Sequence, residues 1–335
     1  MNSGTVSIKT TPRLTIGDKV VILKTKRSFS LVFPILVLLL IISVFGAATD
    51  GSFFKSTVLV GIFNQALITG TMATAVAFIY TTGNLDISVG AVMGLGATVG
   101  AIVYNINGSV PMMLVSAIAV SMGLMLLNCT LSLVFNVKSA MVAIVMMQLY
   151  SAIIQELLGA DMLTVDFKIS KALESGGYRY IAFIGYFILC LIVFHFTTLG
   201  RQLRLVGGNE KCAVQTGINP KRIIFISFIM AGLGIGLAAT FSIIRTSSIS
   251  VNIGSGLGMD VMLATVLGGM SIFGGSKSNS YSGIIGALTV STLNKGMLMV
   301  GVSASLIQGI RGVIFLLLVF LNSERPSTLP SRQQF

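Results

Sequence analysis

A few ionisable side chains stand within or at the edge of long apolar runs, among them Asp86, Asp260, Lys295 and Arg311. An aspartate at the centre of a bilayer-spanning helix costs on the order of 3 kcal/mol, so charges at that depth pair with one another, face water, or mark ion and solute pathways. Asp86, in Gly83-Asn84-Leu85-Asp86 ahead of Ser88, fits two roles. It can cap a helix by accepting free backbone amides, or it can contact a solute or a proton directly. Arg311 needs a partner, and Asp260 is one candidate. Asn64, Gln65, Gln148 and Asn294 are uncharged polar groups in the same runs. They can hydrogen-bond a polyhydroxylated solute or glue helices together.

Other chemistries find no support in the residues. No Gly-x-x-x-x-Gly-Lys-Ser/Thr phosphate loop occurs, so ATP hydrolysis would fall to a separate polypeptide. No nucleophile, base and acid set stands out, which argues against a membrane enzyme. His195, the single histidine, has no neighbour at metal-ligand spacing, and packing is its expected role. No metal or other cofactor is expected. Cys129 and Cys190 fall in apolar runs and Cys212 in a polar loop, so all three are expected to be free thiols.

The elements that must position these groups are membrane helices. Of 335 residues, 54% are hydrophobic and 10% charged, against about 25% charged in a soluble domain. The expected fold class is an all-α membrane protein. Spanning the hydrocarbon takes about 20 apolar residues, and ten runs qualify: near 31–48, 57–80, 85–104, 110–135, 138–158, 180–197, 222–244, 257–274, 281–300 and 303–321. The net charge of +12 reflects topology and not nucleic-acid binding, since no soluble domain presents a basic face. Lys9, Arg13, Lys19, Lys24, Lys26 and Arg27 make residues 1–30 a basic segment. Such a long basic leader points to a cytoplasmic N-terminus and a retained first helix, not a cleaved signal. Ten crossings return the C-terminus inside, with 31–321 the transmembrane domain and 322–335 a cytoplasmic tail.

Runs three and eight are weak. The third begins near Asp86 and holds Gly90, Gly94, Gly96 and Gly100; the eighth holds Asp260 after Gly254, Gly256 and Gly258. Both read as broken or partly re-entrant helices, which are tolerated only where protein or water covers the freed backbone groups. Runs two to five can be laid over seven to ten, with Asp86 opening the third helix and Asp260 the eighth. A shift of five helices inverts the second half, and an inverted repeat with interrupted helices points to a transport path near the repeat interface.

Residues 198–222 form the one long polar loop, where Arg201, Arg204, Lys211, Lys221 and Arg222 outnumber Glu210. Positive loops are retained in the cytoplasm. Asn209 reads as an N-cap, Glu210 to Gln215 as a short helix, and Gly217 with Pro220 as its stop. The loop is either a docked helical knob or a solvated connector.

Gly83-Asn84-Leu85-Asp86-Ile87-Ser88-Val89-Gly90 is similar to the Gly-Gly-Ile-Asp-Leu-Ser-Val-Gly signature of the permease subunits of bacterial ATP-driven importers for ribose and related sugars. Leu199-Gly200-Arg201, Gly207-Gly208-Asn209-Glu210 and Gly217-Ile218 resemble that family's cytoplasmic coupling segment. Ala231-Gly232-Leu233, Arg245 with Ser247-Ser248, Val266-Leu267-Gly268-Gly269, Phe273-Gly274-Gly275 and Leu293-Asn294 with Gly296 follow in the family's order, so the resemblance runs from Phe53 through nearly all the chain. It implies a multi-pass protein of the bacterial inner membrane, paired as a homodimer or paralogous heterodimer with one path at the interface. An external sugar-binding protein would feed that path and a cytoplasmic ATPase would drive it. The expected ATPase-coupling residues are Gly207, Gly208, Asn209, Glu210, Ala213, Gly217, Gly274 and Gly275, with a second docking element in 274–280. The expected path or helix-interior polar residues are Asn64, Gln65, Asp86, Ser88, Asp260, Asn294 and Arg311. Asn84, Ser276-Lys277 and Lys295 depart from the family pattern and leave the substrate open between sugars, nucleosides and autoinducers. An ion-coupled secondary transporter using Asp86 or Asp260 is the alternative class.

Overall fold

A computed structural model describes residues 27–159, 161–270, 274–275, 278 and 282–322. Most of the basic N-terminal segment, nearly all of the C-terminal tail, and Ser276-Lys277 lie outside the described residues. Each of the ten apolar runs holds a helix: α1 (Arg27–Ala48), α2 (Ser56–Thr81), α3 (Val89–Asn107), α4 (Val110–Phe135), α5 (Ser139–Leu158), α7 (Tyr178–Leu191), α10 (Pro220–Thr246), α11 (Leu257–Leu267), α12 (Ser282–Met299) and α13 (Ala304–Asn322). A π-helical turn, Ile192–Phe196, extends α7. Three short helices lie between: α6 (Phe167–Ser175), α8 (Thr198–Gly208) and α9 (Glu210–Gln215). Six helices among the described residues, α2, α3, α4, α5, α7 with its π turn, and α10, are long and apolar enough to cross a membrane. The only sheet among the described residues is a two-residue antiparallel pair, β1 (Leu163–Thr164) with β2 (Ser248–Ile249).

The bundle is built around α2. It buries 89% of its most apolar window, whereas α4, α5 and α7 bury 22% each. A lipid-facing helix must be apolar around its surface, but one enclosed by protein need not be. That freedom lets α2 carry Thr69, Thr71, Thr74 and Thr81 at full burial. Three of these hydroxyls bond back to their own helix, Thr71 to Leu67 O at 2.6 Å, Thr74 to Gly70 O at 2.8 Å and Thr81 to Ala77 O at 2.6 Å, so none of the three enters the core unpaired. α10, α11 and α12 pack around it.

Glycine pairs at four-residue spacing set the neighbouring contacts. On α10, a Cβ at Gly232 would stand 2.8 Å from Met122 Cα, and one at Gly236 2.6 Å from Ile118 Cα, so α4 lies in the groove these glycines leave. On α3, a Cβ at Gly96 would meet Ser121 Oγ at 2.1 Å and one at Gly100 Ala117 Cβ at 3.0 Å. Small residues at this spacing let helices approach to backbone distance, where packing without a hydrophobic driving force is strongest.

These contacts correct the broken-helix reading of run three. α3 is continuous from Val89 to Asn107, and its glycines are packing points, not interruptions. The irregular stretch is residues 82–88, ahead of the helix, so Asp86 does not open it: the cap position belongs to Ser88. Run eight is shorter than expected. α11 ends at Leu267 after 11 residues, about 16 Å of helix, half of the hydrocarbon thickness. The N-terminal turns of α3 and α11 meet backbone to backbone: a Cβ at Gly258 would stand 2.2 Å from Ile87 O, and one at Gly254 2.1 Å from Gly90 O. A second correction concerns 198–222, which is mostly helical, with α8 preceding the expected short helix.

Overpacking at such a contact costs typically about 1–3 kcal/mol. Gly258→Ala is therefore expected to lower the thermal midpoint of the detergent-solubilised chain, while Gly123→Ala, which meets nothing within 4 Å, leaves it unharmed. Size-exclusion thermal melts read both; equal midpoints would show that the α3–α11 contact yields without cost.

Candidate functional site

The structure gathers most of the expected site residues into three places. The first is a cavity of about 620 Å³, within the size range of small-molecule sites. Gln65 of α2, Arg245 of α10, Ser255 in the turn before α11, Asn294 and Lys295 of α12, and Gln308 and Arg311 of α13 line it. Arg245 donates to Gln65 Oε1. Asp260, 4% exposed, stands behind the wall, ion-paired with Arg311 and accepting from Asn294 Nδ2 at 3.1 Å. The candidate pairing of Arg311 with Asp260 is thus the one the fold makes, because α11 and α13 pack together and place both near their N-terminal halves. Two buried polar atoms on lining residues, Ser291 Oγ and Asn294 Oδ1, have no hydrogen-bond partner among the described residues.

The second place is a closed cluster around Asp86, which is fully buried. Its Oδ1 accepts from Ser88 N at 2.8 Å and from Ser88 Oγ at 2.6 Å. Asn128 Nδ2 of α4 lies 3.3 Å from Asp86 Oδ2 and 2.8 Å from Ser88 Oγ, and Tyr150 of α5 donates to Asn128 Oδ1 at 2.8 Å. Tyr80 of α2 donates to the Asp86 carbonyl at 3.3 Å. The carboxylate thus ties the 82–88 stretch to α4 and, through Asn128, to α5. It accepts a backbone amide, as the capping role requires, but two residues ahead of the helix cap.

The third place is a junction of glycine segments at the end of α2. A Cβ at Gly207, in the last turn of α8, would stand 1.8 Å from the Thr81 carbonyl oxygen. Gly275 N donates to that same oxygen at 3.1 Å. Gly274, at φ +73°, would bring a Cβ within 2.7 Å of both Thr81 O and Gly83 N, so only glycine fits. The two segments singled out for coupling, far apart in sequence, therefore share one carbonyl. Beyond the junction, Asn209 caps α9 by accepting from Cys212 N at 3.2 Å. Ala213, 2% exposed, anchors that helix in a cluster with Leu203, Val206 and Ile223. Glu210, Lys211 and Val214 stay exposed, as do Gly208 and Gly217.

Of the expected path residues, Gln65, Asn294 and Arg311 reach the cavity, with Asp260 behind them. Asn64, one residue along α2, faces away and accepts from Tyr180 of α7 at 3.3 Å. Gln148 lies on the exposed face of α5. Sequence reasoning named Lys295 as a charge in an apolar run but did not place Arg245 or Gln308 beside it, and it missed the Asn128–Tyr150 support of Asp86. A cation such as Arg245 in the last turn of an apolar run reads as a flanking charge; only its contact with Gln65, 180 positions away, reveals its place.

A family model described as branched-chain amino acid transport system, permease component, matches residues 58–319. The chain belongs to this permease family. Among curated proteins it is 26% identical over 299 residues to the ribose import permease protein of Escherichia coli strain K12, covering 87% of this chain and 93% of that one. It is 27% identical over 285 residues to the galactofuranose transporter permease protein of the same strain, covering 82% of each. Over 294 residues it is 25% identical to the autoinducer 2 import system permease protein of Photorhabdus luminescens, covering 86% of this chain and 88% of that one. No solved structure matches the chain. The permease is a multi-pass protein of the cell inner membrane, and its relatives are transport components rather than enzymes.

Removing one partner of a buried ion pair costs about 3–5 kcal/mol because the other charge is left uncompensated. Arg311→Leu in this permease is expected to reduce folded yield and thermal stability in detergent, and Arg311→Leu with Asp260→Asn to recover most of the loss. Normal yield and stability of the single variant would show that Asp260 needs no partner.

Proposed function

We propose that this permease is the translocation subunit of an ATP-driven importer for a sugar, ribose-like or related. Family membership across 58–319 carries this reading. In it, a separate cytoplasmic ATPase docks on residues 198–222, an extracytoplasmic sugar-binding protein delivers the solute, and the permease works as a homodimer or paralogous heterodimer. The polar cavity between α2, α10, α12 and α13 is this chain's contribution to the solute path.

The geometry supports a coupling route. Gln65 on the cavity and Thr81 at the glycine junction lie on one helix, 16 residues and so about 24 Å apart. α2 is enclosed by protein along that length and transmits displacement as a rod. Force applied to the exposed face of α9 passes through Ala213 and Gly207 to the Thr81 carbonyl, and from there to 82–88, α3 and the cavity wall. Because Gly207 and Gly275 meet Thr81 at backbone distance, no side chain is available to absorb the movement. The ion-coupled alternative has less support, since Asp86 is enclosed by its hydrogen bonds and Asp260 is held by Arg311.

The test is recovery and coupling. Tagged permease extracted from native membranes is expected to bring down an ATPase and a sugar-binding protein, identified by mass spectrometry. In reconstituted vesicles, Gly207→Ala and Glu210→Lys are expected to cut uptake per ATP hydrolysed by about tenfold, within the usual range of coupling energies. Uptake that continues without an ATPase and collapses with a protonophore would overturn the proposal in favour of ion coupling.

A further inference from the structure

Three cations face the cavity, Arg245, Lys295 and Arg311, and the carboxylate behind its wall, Asp260, is already paired with Arg311. Arg245 gives a hydrogen bond to a neutral acceptor, Gln65, and Lys295 forms no ion pair or hydrogen bond among the described residues. Arg245 also feels the Glu174–Arg179 pair, whose charges cancel at 2.8 Å. The space between these groups is therefore positive by about two charges at half-buried positions, where water screens them less than at a surface.

Uncompensated positive charge at half-buried positions among packed helices is costly, and among the described residues no carboxylate lies against Lys295 in the cavity wall. Beside it, Ser291 Oγ and Asn294 Oδ1 are buried and unpartnered, though 2% exposure at Ser291 would normally require a partner. One ligand satisfies both anomalies. Resting on the importer reading, we propose that the cavity is matched to an anionic polyhydroxylated solute, a sugar acid or sugar phosphate, whose carboxylate or phosphate lies between Lys295 and Arg245 and whose hydroxyls meet Ser291 and Asn294. A lipid phosphate shares the anionic chemistry and must be separated from it by experiment.

The full chain, in nanodiscs of zwitterionic lipid, is titrated with D-ribose, D-ribonate and D-ribose 5-phosphate, with binding read by saturation-transfer NMR. Either anion is expected to bind about tenfold more tightly than ribose, a difference equal to one good charge contact. Lys295→Met is expected to abolish that preference and Lys295→Arg to keep it, both variants eluting as the wild type does. Ribose binding as tightly as the anions, or a preference indifferent to Lys295→Met, overturns the proposal; so does the absence of binding by all three. Native mass spectra of the chain from anionic nanodiscs provide the second arm. A phospholipid retained by wild type, lost in Lys295→Met, and unmatched by any response to the soluble anions assigns the charge to a headgroup and overturns the solute. These readouts need no ATPase, so they fail or succeed independently of the coupling test.

Discussion

The N-terminal turns of α3 and α11 touch through bare backbone, and the rest of the structure depends on contacts of that kind. Helices in lipid gain little by hiding apolar side chains from one another, because the surrounding chains are as apolar as leucine. What remains is close packing, and its strength rises when main chains approach. Gly90, Gly254 and Gly258 bring α3 and α11 together, Gly232 and Gly236 seat α4 on α10, and Gly207 and Gly275 meet the end of α2. The glycines are spread over the whole chain, and most of these contacts fall on α2 and α3. The most enclosed helix is accordingly the one freest to be polar.

Polar groups exploit that enclosure in two different ways. Around Asp86, every oxygen of the carboxylate has a donor, and the cluster fixes an irregular segment that could not otherwise exist at membrane depth. Around the cavity the accounting is incomplete: Ser291 Oγ and Asn294 Oδ1 have no partner among the described residues. A satisfied network rigidifies, whereas an unsatisfied one has capacity for a guest. The same residue types therefore form a satisfied cluster ahead of α3 and a cavity wall with unpartnered atoms near α11.

Much of this was readable from the chain. Each of the ten apolar runs holds a helix, although α11 fills only half the length a span requires. Asn209, Gly217 and Pro220 marked α9 because caps and stops act over a few residues. Asp260 is a candidate partner for Arg311 from sequence because a charge in lipid needs a counter-charge. The weak points were also local in origin. Glycines within run three read as a break because sequence gives no sign of what faces them, and Asn64 beside Gln65 looked equivalent until the helix turned them to different neighbours.

The sequence by itself determined the class, the places of the apolar runs and the family, because hydropathy, capping and motif order are properties of neighbouring residues. Only the tertiary structure decided which polar groups share a space: Gln65 with Arg245 and Lys295 in the cavity, Asp86 with Asn128 and Tyr150 in the closed cluster, Gly207 with Gly275 on Thr81. The physical reason is that a site is a set of distances between segments far apart in the chain. Those distances are fixed by how closely helices pack, which depends on both surfaces at once.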